Sequence, residues 1–166
     1  MSSNSHPEPD PFTPAEFAAW RGLLRLRETV IRAVDERLRE EHGLSIDDYG
    51  ILITLVGQPD HRLRMSQLGD RRMLTPSGIT RAVMRLEERG LVSREQDPSD
   101  GRAFFASLTP DGLAALRRAQ RSHHATVREL YLGRLDEDDL ARLGGLFEKA
   151  VPGVVSSAEW PPPPPR

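Results

Sequence analysis

Apolar positions along this chain recur mostly at steps of three and four residues, and one stretch near the middle breaks that rhythm. Ile79, Val83 and Leu86 fall at i, i+4 and i+7, a single buried stripe of a helix. Leu113, Leu116, Gln120, His123, Val127 and Leu130 step by 3, 4, 3, 4, 3, a seam that faces another helix in the same chain or in a second copy. Leu140, Leu143 and Phe147 make a further stripe, and Phe12, Phe17, Trp20, Leu24, Ile31 and Val34 give the first helix more apolar surface than one core needs. Helix starts are marked by side-chain oxygens that take up orphan backbone N–H groups. These are Thr13-Pro14-Ala15-Glu16 as a capping box, Thr75-Pro76, Thr109-Pro110, Ser45 with Asp48, Asp136 with Asp139, and Ser66. The pattern predicts helices over 13–41, 46–57, 66–72, 76–89, 110–132 and 136–150.

The break lies at 91–108. Two short β-prone runs, 91–95 and 102–108, flank the turn-rich Gln96-Asp97-Pro98-Ser99-Asp100-Gly101 and read as a hairpin. Residues 62–65 are expected to add a very short strand at its edge. The ends, 1–11 and the Pro-rich 152–166 finishing in PPPPPR, read as tails without packed structure. The expected fold is mainly α with a small β-hairpin.

Composition narrows the function. The chain has 166 residues, 37% hydrophobic and 29% charged, in the range of one soluble domain. No apolar run approaches 18 residues and the N-terminus carries no basic-then-apolar leader, so a cytoplasmic protein with no membrane partner is expected. The absence of cysteine excludes disulfides, thiolate nucleophiles and cysteine-bound zinc. His123 and His124 are neighbours about 100° apart on a helix and cannot share a metal, and His6 and His61 fall in a tail and a loop. No metal and no cofactor are expected. Nor is an enzyme: there is no Gly-rich phosphate loop, no HExxH and no nucleophile-base spacing, and the acidic run 136–139 is explained by a helix start.

Charge points to one place. The total is −2, yet residues 62–86 carry six arginines against Asp70, a local +5 that leaves −7 on the remainder. A basic segment on an acidic body suits an anionic partner docking at one site. Two short helices followed by a hairpin form a winged helix-turn-helix, whose second helix fits the major groove of double-stranded DNA. The polar face of that helix presents Ser77, Thr80 and Arg81 to base edges. Gly78 suggests a close approach to the backbone, Arg72, Arg85 and the N–H groups at the helix start are expected to hold phosphates, and Ser66 and Thr75 are expected among the DNA-binding residues. The winged helix also serves as a protein–protein adaptor without DNA binding, and that reading stays open here.

Leu68-Gly69, then Thr75-Pro76-Ser77-Gly78-Ile79-Thr80-Arg81, then Leu86-Glu87-Glu88-Arg89-Gly90-Leu91-Val92 follow one another in the order of a known pattern. With Asp97-Pro98-Ser99-Asp100-Gly101-Arg102 and Leu108-Thr109-Pro110-Asp111-Gly112, the chain resembles the MarR family of bacterial transcription regulators over about 13–150. The resemblance implies a homodimeric repressor of palindromic operators, in many members released by a small aromatic or phenolic ligand. It implies a winged-helix region at 42–109 and a helical dimerisation region from both chain ends, 12–41 and 110–150. It also implies base reading by Ser77, Thr80 and Arg81, and a wing Arg102 paired with Asp100. Ser99 stands where the family pattern carries its first wing arginine, so either Arg94 or Arg102 substitutes for it or the wing contributes only phosphate contacts. Gly69 stands where alanine is usual. Trp20, Leu24, His42 and Tyr49 are the candidates for the effector pocket, an aromatic and titratable set. A regulator without any ligand is the alternative.

Overall fold

A computed structural model describes residues 11–155. Among them the chain forms α1 (Pro14–His42), α2 (Ile46–Val56), β1 (Arg62–Arg64), α3 (Met65–Arg72) and α4 (Pro76–Glu88). β2 (Val92–Asp97), β3 (Asp100–Leu108), α5 (Pro110–Leu130) and α6 (Glu137–Ala150) complete it, with single 3-10 turns at Pro59–His61 and Leu132–Arg134. The three strands form an antiparallel sheet in the order β1-β3-β2, so 62–64 is the edge strand expected. Residues 1–10 and 156–166, with most of both expected tails, lie outside the described residues. The described part of the C-terminal stretch turns back: the N–H groups of Gly153 and Val155 donate to Glu148 at 2.7 and 2.9 Å.

Five of the six expected caps form. Thr13, Ser45, Thr75, Thr109 and Asp136 each accept a hydrogen bond from the amide three residues on. Ser66 does not cap α3. Arg64 occupies the capping position because it is still paired with Phe105 in the sheet, and the helix begins directly after it at Met65. At the other end of α4, Gly90 takes the expected left-handed conformation and the Leu91 amide closes onto the Leu86 carbonyl at 2.9 Å.

The core is built by Leu38 of α1, Ile51, Leu52 and Leu55 of α2, Leu68 of α3, Val83 and Leu86 of α4, Val92 of β2 and Leu116 of α5. Removing this apolar surface from water is the main force that fixes α4 against α2 and α3. On α1 only the later part takes part, through Val30, Val34 and Leu38, one residue per turn. These face α5, which runs antiparallel: Arg37 pairs with Glu129 and Glu41 meets Ser122. Leu116 and Gln120 of the 3-4 seam are buried and His123 stacks on Tyr49, so α5 packs against α1 and α2 of the same chain, with Leu113, Val127 and Leu130 half-buried. Gly112 is needed where α5 starts, since a Cβ there would lie 2.0 Å from the Leu91 carbonyl oxygen.

The hairpin is longer and its turn shorter than the composition suggests. Its strands reach Asp97 and restart at Asp100, leaving Pro98 and Ser99 at the tip. Asp97 makes this possible: one carboxylate oxygen accepts from the Ser99 N–H and Oγ at 2.8 and 2.7 Å, and the other meets Arg64. Those bonds, the Ser99 hydroxyl first, hold the Asp97 carboxyl below its ordinary pKa.

Candidate nucleic-acid interface

Helix α4 is two-faced. Ile79, Ala82, Val83 and Leu86 are buried, while Ser77, Thr80, Arg81, Met84 and Arg85 are exposed. Its start is held by Thr75, whose Oγ1 accepts the Gly78 N–H at 3.1 Å and lies 3.3 Å from the Ser77 hydroxyl. The close approach expected at Gly78 is made by this cap: a Cβ there would sit 3.0 Å from Thr75 Oγ1. Thr80 donates its hydroxyl to the Pro76 carbonyl at 2.8 Å, which leaves the oxygen's lone pairs facing solvent. The Arg81 Nε lies 3.4 Å from the Ser77 carbonyl, and its guanidinium is in no ion pair among the described residues.

Between α4 and the hairpin runs a groove of about 460 Å³, lined by Arg64, Ser66, Thr80, Arg94, Asp100 and Arg102 among others. Ser66, though not a cap, and Arg102 line the same concave surface as Thr80. Arg64 and the exposed wing residue Phe104 also line the groove and were missed as individual site residues. The signal for Arg64 was present in the basic Arg62-Leu63-Arg64 run, where alternation in the edge strand sends both arginines to one side.

The local +5 is less free than the count implies. Arg62 stacks on Phe105 at 3.9 Å and pairs with Glu95, and Arg64 pairs with the buried Asp97. Outside that segment, Arg94 of the wing donates to Glu87 at 2.6 Å. Arg85 donates to Asp48 at 2.9 Å. Arg72 departs most from expectation: its guanidinium lies over the backbone of Gly50, where any Cβ would meet Nη2 at 2.1 Å. Its Nε is buried with no hydrogen-bond partner in the chain, and burial pushes its pKa down against the pull of Asp47. Arg72 is thus part of the α2–α3 packing rather than an outward phosphate ligand. Arg102 meets Asp100 through its backbone N–H at 3.1 Å, not through the expected guanidinium pairing. Ser99, tied to Asp97, has its hydroxyl engaged at the wing tip.

The four effector-pocket candidates do not converge within the chain. Trp20 and His42 stand 22 residues apart on one helix, about 33 Å along its axis at 1.5 Å per residue. Trp20 and Leu24 are exposed, at 51% and 45%. Tyr49 is buried and stacks on His123 with ring centroids 4.9 Å apart; burial pushes the Tyr49 hydroxyl up to about 12. His42 bonds Ser122 Oγ at 2.8 Å and lines a different cleft of about 220 Å³ with Glu41, Arg89, Leu91, Ala115 and Arg118.

Comparison with known proteins places this architecture. The sequence model of the MarR family matches residues 42–103. The solved structure of Sco3205, a MarR family transcriptional regulator from Streptomyces coelicolor in complex with DNA, is 34% identical. It superposes with a TM-score of 0.78 over 92% of this chain and 95% of that one. The HTH-type transcriptional regulator YkoM of Bacillus subtilis is 29% identical over 142 residues, 84% of this chain and 90% of the relative. The HTH-type transcriptional repressor YetL of the same species is 32% identical over 110 residues, 64% of this chain and 66% of the relative.

Proposed function

Since the chain belongs to the MarR family of winged-helix transcription regulators, we propose that it is a homodimeric repressor reading a palindromic operator in double-stranded DNA. The observation that carries this reading is the exposed face of α4. Ser77, Thr80 and Arg81 sit on a capped helix beside a groove lined by Arg102 and Asp100 and by Arg64 and Arg94, which are paired with Asp97 and Glu87. The helix presents Arg81 for bidentate contact with guanine, and the Arg102 guanidinium and the N–H groups of the helix start suit flanking phosphates. The hairpin lies alongside the adjacent minor groove. Residues 42–109 form the reading region, while the outer part of 12–41 and 110–150 supply the dimer contact. Two α4 helices then enter successive major grooves about 34–36 Å apart.

Release by a small ligand belongs to the same proposal. The cleft beside His42 touches the end of α1, the residues that follow α4 and the start of α5, and Arg118 in its lining would suit the carboxylate of a small acid. A ligand there acts only by binding one spacing of the reading helices better than another. Selection from a random duplex library tests the function: an inverted repeat with half-sites one helical turn apart supports it, and no enriched sequence overturns it. A panel of aromatic acids and phenols added to the selected duplex complex tests release.

A further inference from the structure

Arg85 of α4 and Arg89, which follows the helix at its C-terminal end, reach back to the corner between α1 and α2. The Arg85 Nη2 donates to Asp48 Oδ1 at 2.9 Å. Asp48 is buried, 6% exposed, and its other oxygen accepts the Ser45 N–H at 3.0 Å in the capping box of α2. Four residues on, Arg89 donates to the carbonyls of Gly43 and His42 at 2.6 and 3.0 Å. Those are carbonyls at the C-terminal end of α1, which have no partner within the helix. The corner itself is tied to α1, because the Ile46 N–H donates to Asp35 Oδ1 at 2.7 Å. Burial raises the Asp35 carboxyl, but the bonds from Arg39 and Ile46 outweigh it and hold the pKa below its ordinary value.

We propose that Arg85 and Arg89 are positioning residues for operator recognition, clamping the reading helix at a fixed angle to α1 rather than holding phosphates. This rests on the DNA-reading function proposed above. If Arg85 swung out to a phosphate it would leave a buried carboxylate unpaired, a costly exchange. In the dimer, α1 carries the exposed apolar surface, so the angle fixed at this corner sets the separation of the two reading helices. An arginine on the exposed face of a reading helix looks like a phosphate ligand from sequence alone; the buried acid facing it gives it a different task.

The experiment compares Asp48→Asn, Arg85→Gln, the double variant and Arg89→Gln with the wild type on a duplex selected by the wild type and on a scrambled one, over a salt series. Asparagine keeps an acceptor for the Ser45 amide, and thermal melts establish which variants fold. The clamp predicts that Asp48→Asn weakens operator binding about fivefold or more although it removes a negative charge. It predicts that the double variant is no worse than the poorer single, and that scrambled-duplex binding and the salt slope stay as in the wild type. A phosphate role for Arg85 predicts the reverse sign: Asp48→Asn binds as well or better. It also lowers the slope by about 2 for Arg85→Gln, one phosphate from each protomer. Either result overturns the clamp. If Asp48→Asn does not fold, Arg89→Gln decides alone: lost operator preference at unchanged slope supports the clamp, and unchanged preference overturns it. A wild type that prefers no duplex fails at the function itself and is recognised before any variant is made.

Discussion

The two halves of this molecule differ in how completely one chain satisfies them. From α2 to β3 the apolar stripes find partners within the chain: Ile51, Leu52, Leu55, Leu68, Val83 and Leu86 are buried, and the polar face left over is the one proposed to meet DNA. The outer half of α1 and all of α6 have no such closure. Phe17, Trp20, Leu23 and Leu24 on α1 and Leu140, Leu146 and Phe147 on α6 remain exposed, and α6 buries no residue at all. A helix with a strong apolar stripe and no buried side chain is unfinished without a second surface. The reading region is therefore specified by its own sequence, and the ends are specified by what they meet.

The sharpest way to break this contrast is to charge the unfinished half. Trp20→Glu with Leu24→Glu should give a monomer by light scattering and lose operator affinity more than about a hundredfold, roughly 3 kcal/mol or more, while the reading region stays folded by NMR. A dimeric double variant would place the interface elsewhere. The same truncation made in both halves comes next. Leu86→Ala should cost about 2–5 kcal/mol of unfolding free energy at any protein concentration. Leu146→Ala, at 61% exposure in one chain, should destabilise only where the dimer is populated. Denaturant titrations at two protein concentrations separate them.

On the DNA face, Arg81→Ala should cost about 1–3 kcal/mol of operator binding per half-site and relax the sequence preference, read by anisotropy on matched and mismatched duplexes. The smallest effect concerns pH. Burial, aided by His124, holds the His123 pKa down in the folded state. The unfolded chain then binds its proton first as pH falls below about 6.5, so stability is full above that value and is lost toward the lower folded value. The slope cannot exceed about 1.4 kcal/mol per pH unit for one proton. His123→Gln should flatten it, measured between pH 7.5 and 5.5, above the range where carboxylates titrate.

What was legible in the sequence was local. Caps at Thr13, Ser45, Thr75, Thr109 and Asp136 depend on residues three apart, and all five form. Ser66 failed as a cap because strand pairing by Arg64, a non-local fact, decided where α3 begins. The partners of the arginines were equally hidden. Nothing near Arg72 in sequence shows that Gly50 makes room for its guanidinium, or near Arg85 that Asp48 faces it across 37 residues. The pocket candidates failed for a reason the sequence did contain: one helix carrying both Trp20 and His42 necessarily holds them far apart.

The most direct test of the central claim is fluorescence anisotropy on the DNA just upstream of the gene, against a shuffled duplex of the same composition, across a salt series. The account predicts tight binding to the upstream duplex alone, at one dimer per duplex. Absence of binding to either duplex at low salt would contradict it and leave the winged helix as a surface for proteins rather than for DNA.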